Sequence, residues 1–329
     1  AGSLALGACT NSSGGDDSSA VSTSNTDNDK TGDDIVIGFS APAADHGWMA
    51  AISNAAQAQA DQYDDVELRV SEGTNDVNLQ ISQVETFIND GVDAIVLLPF
   101  DGAAMTPVAL KAMEAGIPVI NVDREFDSPF AARTTVLGDN YGMGVSAGTY
   151  VCEQADGDTD AVVAEIAGID SLPLTQERSQ GFSDALEQCG LDVDNRVAAE
   201  FTVESGERAA SNLLQAAPTI DFLWNHDDVQ GVGVLAAIDN AGRDEFQMIG
   251  GAGSANVMRD IQSGDSVLKA TVVYPSTQAA DGVKLARLIA QGKAMADLAE
   301  VQVPRKVQLA APVVTADNVD EYLPSAFES

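Results

Sequence analysis

The chain has 329 residues, 45% of them hydrophobic, and this length exceeds what one compact domain usually holds. It carries 51 Asp and Glu against 16 Lys and Arg, a formal net charge of -35 at pH 7. A surface of this sign repels phosphate backbones, so the composition excludes nucleic acid as a partner. The acidic residues are spread along the chain, which is typical of a solvated surface and of salt adaptation.

The first nine residues, AGSLALGAC, form an apolar stretch too short to cross a bilayer. We interpret residues 1–33 as the remnant of a signal peptide, a lipidated Cys9 and a disordered tether. Leu6 to Cys9 resembles a lipobox, although an ordinary apolar stretch before a cysteine is the alternative. Residues 10–33 are rich in Ser, Asp, Asn, Thr and Gly, a composition that cannot bury a core. We therefore expect an exported protein that is anchored to the outer face of the cell membrane by an N-terminal lipid.

From Asp34 onward, short apolar runs alternate with segments of helical periodicity. The predicted elements of the first half are the strand 35–39, the helix 48–63, the strand 66–70, the helix 77–89, the strand 94–99, the helix 103–115 and the strand 117–122. Continuous apolar strands separated by helices predict a parallel sheet covered on both faces.

The second half repeats this order. Its predicted elements are the strand 161–168, the helix 176–188, the strand 196–201, the helix 206–216, the strand 221–225, the helix 229–241, the strands 246–251 and 268–273 and the helix 277–291. The stretch VDAIVLLPFDG to EAGIPVINVD is similar to IDFLWNHDDVQ to NAGRDEFQMIGG. Two similar α/β lobes are the simplest explanation.

Ligands of such sheets bind outside the carboxyl ends of the strands. Asp123 and Arg124 follow one predicted strand, His226 and Asp227 follow another, and Arg178 lies early in a predicted helix. The alternatives are a loop ion pair, a helix cap and a surface arginine, respectively. Carboxylates, guanidinium groups and an aromatic plane suit a neutral polyhydroxyl ligand.

Three motifs that imitate catalytic or metal sites are weak. GVSAG at 144–148 matches a nucleophile elbow, but Ser146 lies inside a predicted helix, which favours close helix packing. GVGVLA at 231–236 also lies within a helix, away from a dinucleotide-binding context. His226 could ligate a metal, but the only other histidine is His46 and no metal-ligand spacing joins them. We predict a protein that is not an enzyme and holds no cofactor or metal.

Cys152 and Cys189 are the cysteines that follow Cys9. In an oxidising compartment they could form a disulfide, whereas two separate buried thiols are the alternative. The sequence leaves both options open.

Five segments in a fixed order resemble the ribose-binding-protein type of sugar-binding receptors that feed bacterial ABC importers: IGFSAPAADHGWMAAI, VDAIVLLPFDG, AGIPVINVDRE, RSQGF and NHDDVQGVGVLAAI. The similarity spans residues 34 to about 300. It implies the type I periplasmic binding protein fold, with two Rossmann-like lobes of parallel sheets flanked by helices and joined by a three-strand hinge. The implied lobes are residues 34–136 plus 274–303 and residues 137–273 plus 304–329.

The resemblance also implies a set of ligand-binding residues, namely Asp45, His46, Trp48, Asp123, Arg124, Arg178, His226, Asp227 and Tyr274. Trp48 would stack on a sugar ring, although burial in the core of its own lobe is the alternative. One position departs from the family, because Ala252 in GGAG stands where a ligand-binding Asp is usual. Ribose specificity is therefore not transferred, and other sugars or a polyol such as an inositol stay open.

The implied function is an extracytoplasmic, monomeric binding protein that presents a sugar or polyol to an ABC permease in the membrane. A receptor that signals to a kinase or chemotaxis partner is the alternative that the sequence cannot separate from transport. A transcriptional regulator would need a basic DNA-binding segment at its N-terminus, where this chain is acidic. An exported hydrolase acting through Ser146 is the remaining rival.

Overall fold

Strands and helices alternate along the part of the chain that the computed structural model describes, residues 30–44, 47–293 and 303–328. The strands are β1 (Ile35–Ser40), β2 (Val66–Val70), β3 (Ala94–Leu97), β4 (Val119–Val122), β5 (Thr134–Gly138), β6 (Val163–Ala167), β7 (Val193–Ala198), β8 (Phe222–Asn225), β9 (Gln247–Ala252), β10 (Leu268–Val273), β11 (Lys306–Leu309) and β12 (Val313–Thr315). The helices are α1 (Gly47–Ala60), α2 (Val77–Asp90), α3 (Gly102–Glu114), α4 (Asn140–Ala155), α5 (Pro173–Glu187), α6 (Val203–Ala216), α7 (Asp228–Ala241), α8 (Ala255–Ser263), α9 (Gln278–Ala290) and α10 (Val319–Tyr322). None of these helices combines the length and apolarity that a membrane crossing requires.

The first lobe contains a six-stranded parallel sheet in the order β11-β5-β4-β3-β1-β2. All residues of β3 and β4 are buried, as expected for the centre of a sheet covered on both faces. Successive side chains of a strand point to opposite faces, so Val96 packs on the α1 and α9 side while Ile95 packs with α2 and α3. The alternation predicted from the sequence is thus confirmed for this lobe.

The second lobe has a six-stranded sheet in the order β12-β10-β9-β8-β6-β7, in which β12 runs antiparallel to β10. On one of its faces, α4 and α5 pack unusually close together. A Cβ atom on Gly144 would collide with the carbonyl oxygen of Arg178, and one on Gly181 with that of Tyr141. The GVSAG segment therefore serves helix packing, and Ser146 lies in the interior of α4, as predicted.

The chain crosses between the lobes three times, near residue 139, at 274–277 and at 310–312. The predicted lobe boundaries differ from this structure in two places. Thr134–Gly138 belongs entirely to the first sheet, and Lys306–Leu309, predicted in the second lobe, pairs in parallel with β5 of the first. The reason is that β5 offers a free edge to the returning chain, which joins the second sheet only at Val313.

Cys152 and Cys189 form a disulfide with a Cα–Cα distance of 5.8 Å. Cys152 lies in the last turns of α4 and Cys189 lies just beyond α5. The bond therefore links the ends of the two helices whose opposite ends approach the cleft.

Candidate functional site

A cavity of about 330 Å³ lies between the two lobes at the carboxyl ends of their strands. We call it the cleft cavity. Its walls combine charged, polar and aromatic side chains from both lobes with one residue of the second crossing. The lining residues are Pro42, Trp48, Met49, Asn75, Phe100, Asp123, Arg124, Ile169, Leu172, Leu174, Arg178, Glu200, Phe201, Thr202, Asp227, Ala252 and Tyr274.

Trp48 and Tyr274 form one wall of the cleft cavity. Trp48 is the second residue of α1, and its Nε1 donates a hydrogen bond to the carbonyl oxygen of Tyr274 at 3.1 Å. The two ring centroids are 5.5 Å apart. Trp48 is only 6% exposed and packs with the core of the first lobe as well as facing the cavity, so the two predicted environments are combined. Its ring orientation is fixed by protein contacts.

Asp123 follows β4 in a backbone conformation with φ of 64°, which costs free energy for a residue other than glycine. Its carboxylate Oδ1 accepts a hydrogen bond from the Tyr274 hydroxyl at 2.6 Å. Burial, reinforced by the Asp123 charge, raises the pKa of Tyr274. The phenol therefore stays protonated and acts as a donor to Asp123.

The side chain of Arg124 extends past the carboxyl end of β3. Its Nη1 donates to the carbonyl oxygen of Phe100 at 2.7 Å, and its Nε lies 3.8 Å from Oδ2 of Asp123. Within the described residues this buried Nε has no hydrogen-bond partner. The Arg124 guanidinium is therefore held by the Phe100 carbonyl and the nearby Asp123 charge at the wall of the cleft cavity.

Arg178 is the buried cation of the second lobe, 5% exposed in α5. Its Nε donates to Oδ1 of Asn140 at 2.9 Å and its Nη1 donates to the carbonyl oxygen of His226 at 3.1 Å. The guanidinium carbon lies 4.8 Å from the Tyr274 ring centroid. Burial lowers the pKa of Arg178, while the charges of Asp227 and Asp123 oppose that shift. These contacts hold a guanidinium against the cleft cavity.

Asp227 lines the cleft cavity and also caps α7. Its Oδ1 accepts hydrogen bonds from the backbone N–H groups of Val229 at 2.8 Å and Gln230 at 3.0 Å. Asp227 therefore caps the helix, which was the alternative to ligand binding, and also lies in the cavity wall.

His226 lies in the core of the second lobe, and the residues that line the cleft cavity do not include it. Its Nε2 lies 2.8 Å from Oε1 of Glu165, and its Nδ1 accepts from the backbone N–H of Gly168 at 3.4 Å. The ring packs on Trp224 with centroids 4.1 Å apart. The imidazole is thus turned away from the cavity, and His226 contributes to the site through its backbone carbonyl oxygen, which accepts a hydrogen bond from Arg178.

Asp45 and His46 lie outside the described residues, as does Cys9. Of the nine predicted ligand-binding residues, the structure thus brings six together around one cavity, namely Trp48, Asp123, Arg124, Arg178, Asp227 and Tyr274.

Phe201 is a cavity residue that sequence reasoning missed. The pattern predicted a strand through residue 201, whereas β7 ends at Ala198 and Phe201 adopts a φ of 57° in the following loop. Its ring lies over Gly168, where a Cβ atom would collide with it. In the sequence, the one sign of this contact was the glycine directly after β6, because a glycine allows a ring to approach the backbone this closely.

Ala252 ends β9 with a φ of 89° and places only a methyl group in the cavity wall. The loop that follows is held by Asp228, whose carboxylate accepts from the N–H groups of Gly251 at 2.9 Å and Ser254 at 2.6 Å. Burial raises the pKa of Asp228 to about 7. Hydrogen bonds therefore hold this part of the wall in place, and residue 252 offers no side-chain hydrogen bond to a ligand.

The chain matches the model of the periplasmic binding protein domain over residues 37–294. It is 29% identical over 267 residues to the ribose import binding protein of Bacillus subtilis, covering 79% of this chain and 84% of that protein. The D-ribose/D-allose-binding protein of Pseudomonas aeruginosa is 29% identical over 241 residues, 71% of this chain and 74% of that protein. A solved ABC transporter solute binding protein from Bacillus halodurans with bound myo-inositol is 26% identical, has a TM-score of 0.76 and covers 90% of this chain and 99% of its own. With its two α/β lobes and the cavity between them, the chain belongs to the periplasmic binding protein family.

Proposed function

We propose that this protein is the extracytoplasmic binding component of an ABC importer, and that it binds a monosaccharide or polyol in the cleft cavity. The observation that carries the proposal is the wall itself, where Asp123 and Arg124 of one lobe face Arg178 and Asp227 of the other beside Trp48. Two relatives are named for binding ribose or allose, and one similar solved structure contains bound myo-inositol. These ligands support the same ligand class.

The size and charge of the cleft cavity support a small neutral ligand. Its volume is at the lower end of the range of about 300–1,000 Å³ that small-molecule sites occupy. Its charged residues are Asp123, Glu200 and Asp227 against Arg124 and Arg178, so neither sign dominates. A carboxylate or a guanidinium group can form two hydrogen bonds at once and so bind two neighbouring hydroxyl groups. Trp48 offers an apolar plane on which the C–H face of a sugar ring could stack.

The mechanism is closure of the two lobes around the ligand. A ligand that contacts both walls stabilises the closed arrangement only by the contacts that the open one lacks. The closed form then presents a composite surface of both lobes to a membrane permease. We further propose that the protein acts as a monomer and that lipid on Cys9 keeps it at the outer face of the membrane.

Isothermal titration calorimetry with D-ribose, D-allose, xylitol and myo-inositol tests the ligand class. We expect at least one of them to bind and to raise the thermal unfolding midpoint. Arg178→Ala should remove both effects, because it deletes the guanidinium of one wall. Arg208→Ala is the matched control, since Arg208 is exposed on α6 and should leave binding unchanged. Loss of binding in the control, or full binding by the Arg178 variant, would contradict the assigned site.

A further inference from the structure

Asn140 lies at the first crossing between the lobes and has no assigned role in the cleft. Its side chain is 8% exposed, and it is not among the residues that line the cleft cavity. It does not cap α4 either, because Asp139 does so by accepting from the N–H of Gly142 at 2.8 Å. A buried amide without a capping role needs other partners.

Both polar atoms of the Asn140 amide have such partners. The Nδ2 group donates to the Tyr274 hydroxyl oxygen at 3.3 Å, and Oδ1 accepts from Nε of Arg178 at 2.9 Å. A guanidinium can only donate, so Oδ1 must face Arg178 and the NH₂ group must face Tyr274. The Tyr274 proton is then directed to Asp123, at 2.6 Å.

These bonds form one continuous chain across the hinge. It runs from Asp123 of the first lobe through Tyr274 at the second crossing to Asn140 at the first crossing, and on to Arg178 of the second lobe. Gly138 makes room for it, because a Cβ atom there would collide with the Tyr274 ring. Protein groups alone supply every donor and acceptor of the chain.

We propose that Asn140 is a positioning residue that couples the separation of the lobes to the orientation of Arg178. Hinge opening moves Asp123 away from α4, and Tyr274 cannot then keep both of its hydrogen bonds, which weaken steeply with distance and angle. The amide of Asn140 loses one partner, and the acceptor that orients Arg178 is released. The same series of hydrogen bonds favours the closed arrangement of the lobes before a ligand arrives. This coupling goes beyond the proposed function.

Ligand-free protein tests this coupling. We expect Asn140→Ala and Tyr274→Phe to shift the balance between open and closed lobes by about five- to tenfold toward open, the effect of losing one such bond. Small-angle X-ray scattering should show a larger radius of gyration. Acrylamide should quench tryptophan fluorescence more strongly, because Trp48 lies in the cleft whereas Trp224 is fully buried in the second lobe. The double variant should shift the balance between open and closed lobes little more than the stronger of the two single variants, since both residues belong to the same series of hydrogen bonds.

Tyr141→Phe is the matched control. Its hydroxyl also bonds a carboxylate, Oδ2 of Asp184 at 2.8 Å, but it is exposed and bonds only within the second lobe. It should match the wild-type protein in both measurements. If Asn140→Ala also matches the wild type, or if the two single effects add fully, the proposal is wrong. Should Asn140→Ala fail to fold, Tyr274→Phe still tests the hydrogen-bond chain because it keeps the ring, and a Tyr274→Phe protein that matches the wild type would overturn the proposal. No ligand is used, so a failure here is distinct from a failure of the sugar-binding proposal.

Discussion

At the scale of residues, the buried ion pair of Asp65 and Arg287 holds the first lobe at its N-terminal edge. Both residues are 2% exposed, and the guanidinium donates to both carboxylate oxygens, at 2.7 and 2.6 Å. Arg287 also donates to the carbonyl oxygen of Lys30 at 2.8 Å and lies 4.3 Å from the Tyr63 ring centroid. The pair therefore fastens the segment before β1 to α9.

We predict that Asp65→Asn lowers the free energy of unfolding by about 3–5 kcal/mol, because it leaves a buried guanidinium without its counter-charge. Urea denaturation followed by circular dichroism measures this. Asp64→Asn is the control, since the neighbouring Asp64 is exposed and should change stability by less than about 0.5 kcal/mol. Equal effects of the two variants would contradict the importance of the pair.

The same pair predicts a pH dependence. The hydrogen bonds from Arg287 hold the pKa of Asp65 well below its usual range. Its contribution to stability is therefore complete above the unfolded value of about 3.9 and is lost as the pH falls through the lower folded-state pKa. Stability of the wild-type protein should fall more steeply with acid below about pH 4 than that of Asp65→Asn.

At the scale of elements, the α4–α5 pair determines the geometry of the second-lobe wall. Asn140 at the start of α4 bonds Arg178 of α5, while Gly144 and Gly181 let the helices approach. At the far end of the pair, the disulfide links Cys152 to Cys189. A shift of one helix along the other would separate Asn140 from Arg178.

Replacement of Cys152 and Cys189 by serine should lower the free energy of unfolding by about 3–4 kcal/mol. This is the stabilisation expected when a disulfide closes a loop between residues 37 positions apart and so limits the entropy of the unfolded chain. Guanidinium denaturation with and without dithiothreitol measures this. The reductant should lower the stability of the wild type by a similar amount and leave the double serine variant unchanged. A reductant effect on the serine variant would point to another cause.

At the scale of the whole molecule, the net charge of -35 dominates the long-range electrostatics. Like charges on a compact body repel each other more than in the expanded unfolded chain. Salt shortens the range of this repulsion, from about 10 Å at 0.1 M to about 3 Å at 1 M.

We therefore expect the thermal unfolding midpoint to rise between about 0.1 and 1 M NaCl. Differential scanning calorimetry measures the midpoint. KCl at equal ionic strength should have the same effect, because screening does not depend on which monovalent cation is present. A midpoint that stays constant or falls would show that repulsion does not limit stability.

Much of the fold could be predicted because buried parallel strands are continuous apolar runs. The apolar runs predicted at 94–99 and 117–122 contain β3 and β4, whose residues are all buried, and the predicted helices overlap those in the structure. Three strands, β5, β11 and β12, were not predicted. Two of them, β11 and β12, are short edge strands whose residues are mostly partly exposed, so their patterns carry a weak signal.

The candidate site was predictable where a charged residue directly follows a strand, as at Asp123 and Arg124. It was not predictable where side-chain direction decides the role. His226 and Asp227 are neighbours in the sequence, yet one packs on Trp224 and Glu165 and the other faces the cleft. Asn140 carried no local signal, because its partners are 38 and 134 residues away.

The sequence by itself determined the two α/β lobes, the acidic surface and the edge of each sheet at which a ligand would lie, because these depend on local periodicity and composition. The tertiary structure alone decided the pairing of β11 with the first sheet, the inward turn of His226 and the hydrogen-bond chain from Asp123 to Arg178. Those features depend on contacts between residues far apart in the chain, which form only when the lobes pack around the hinge.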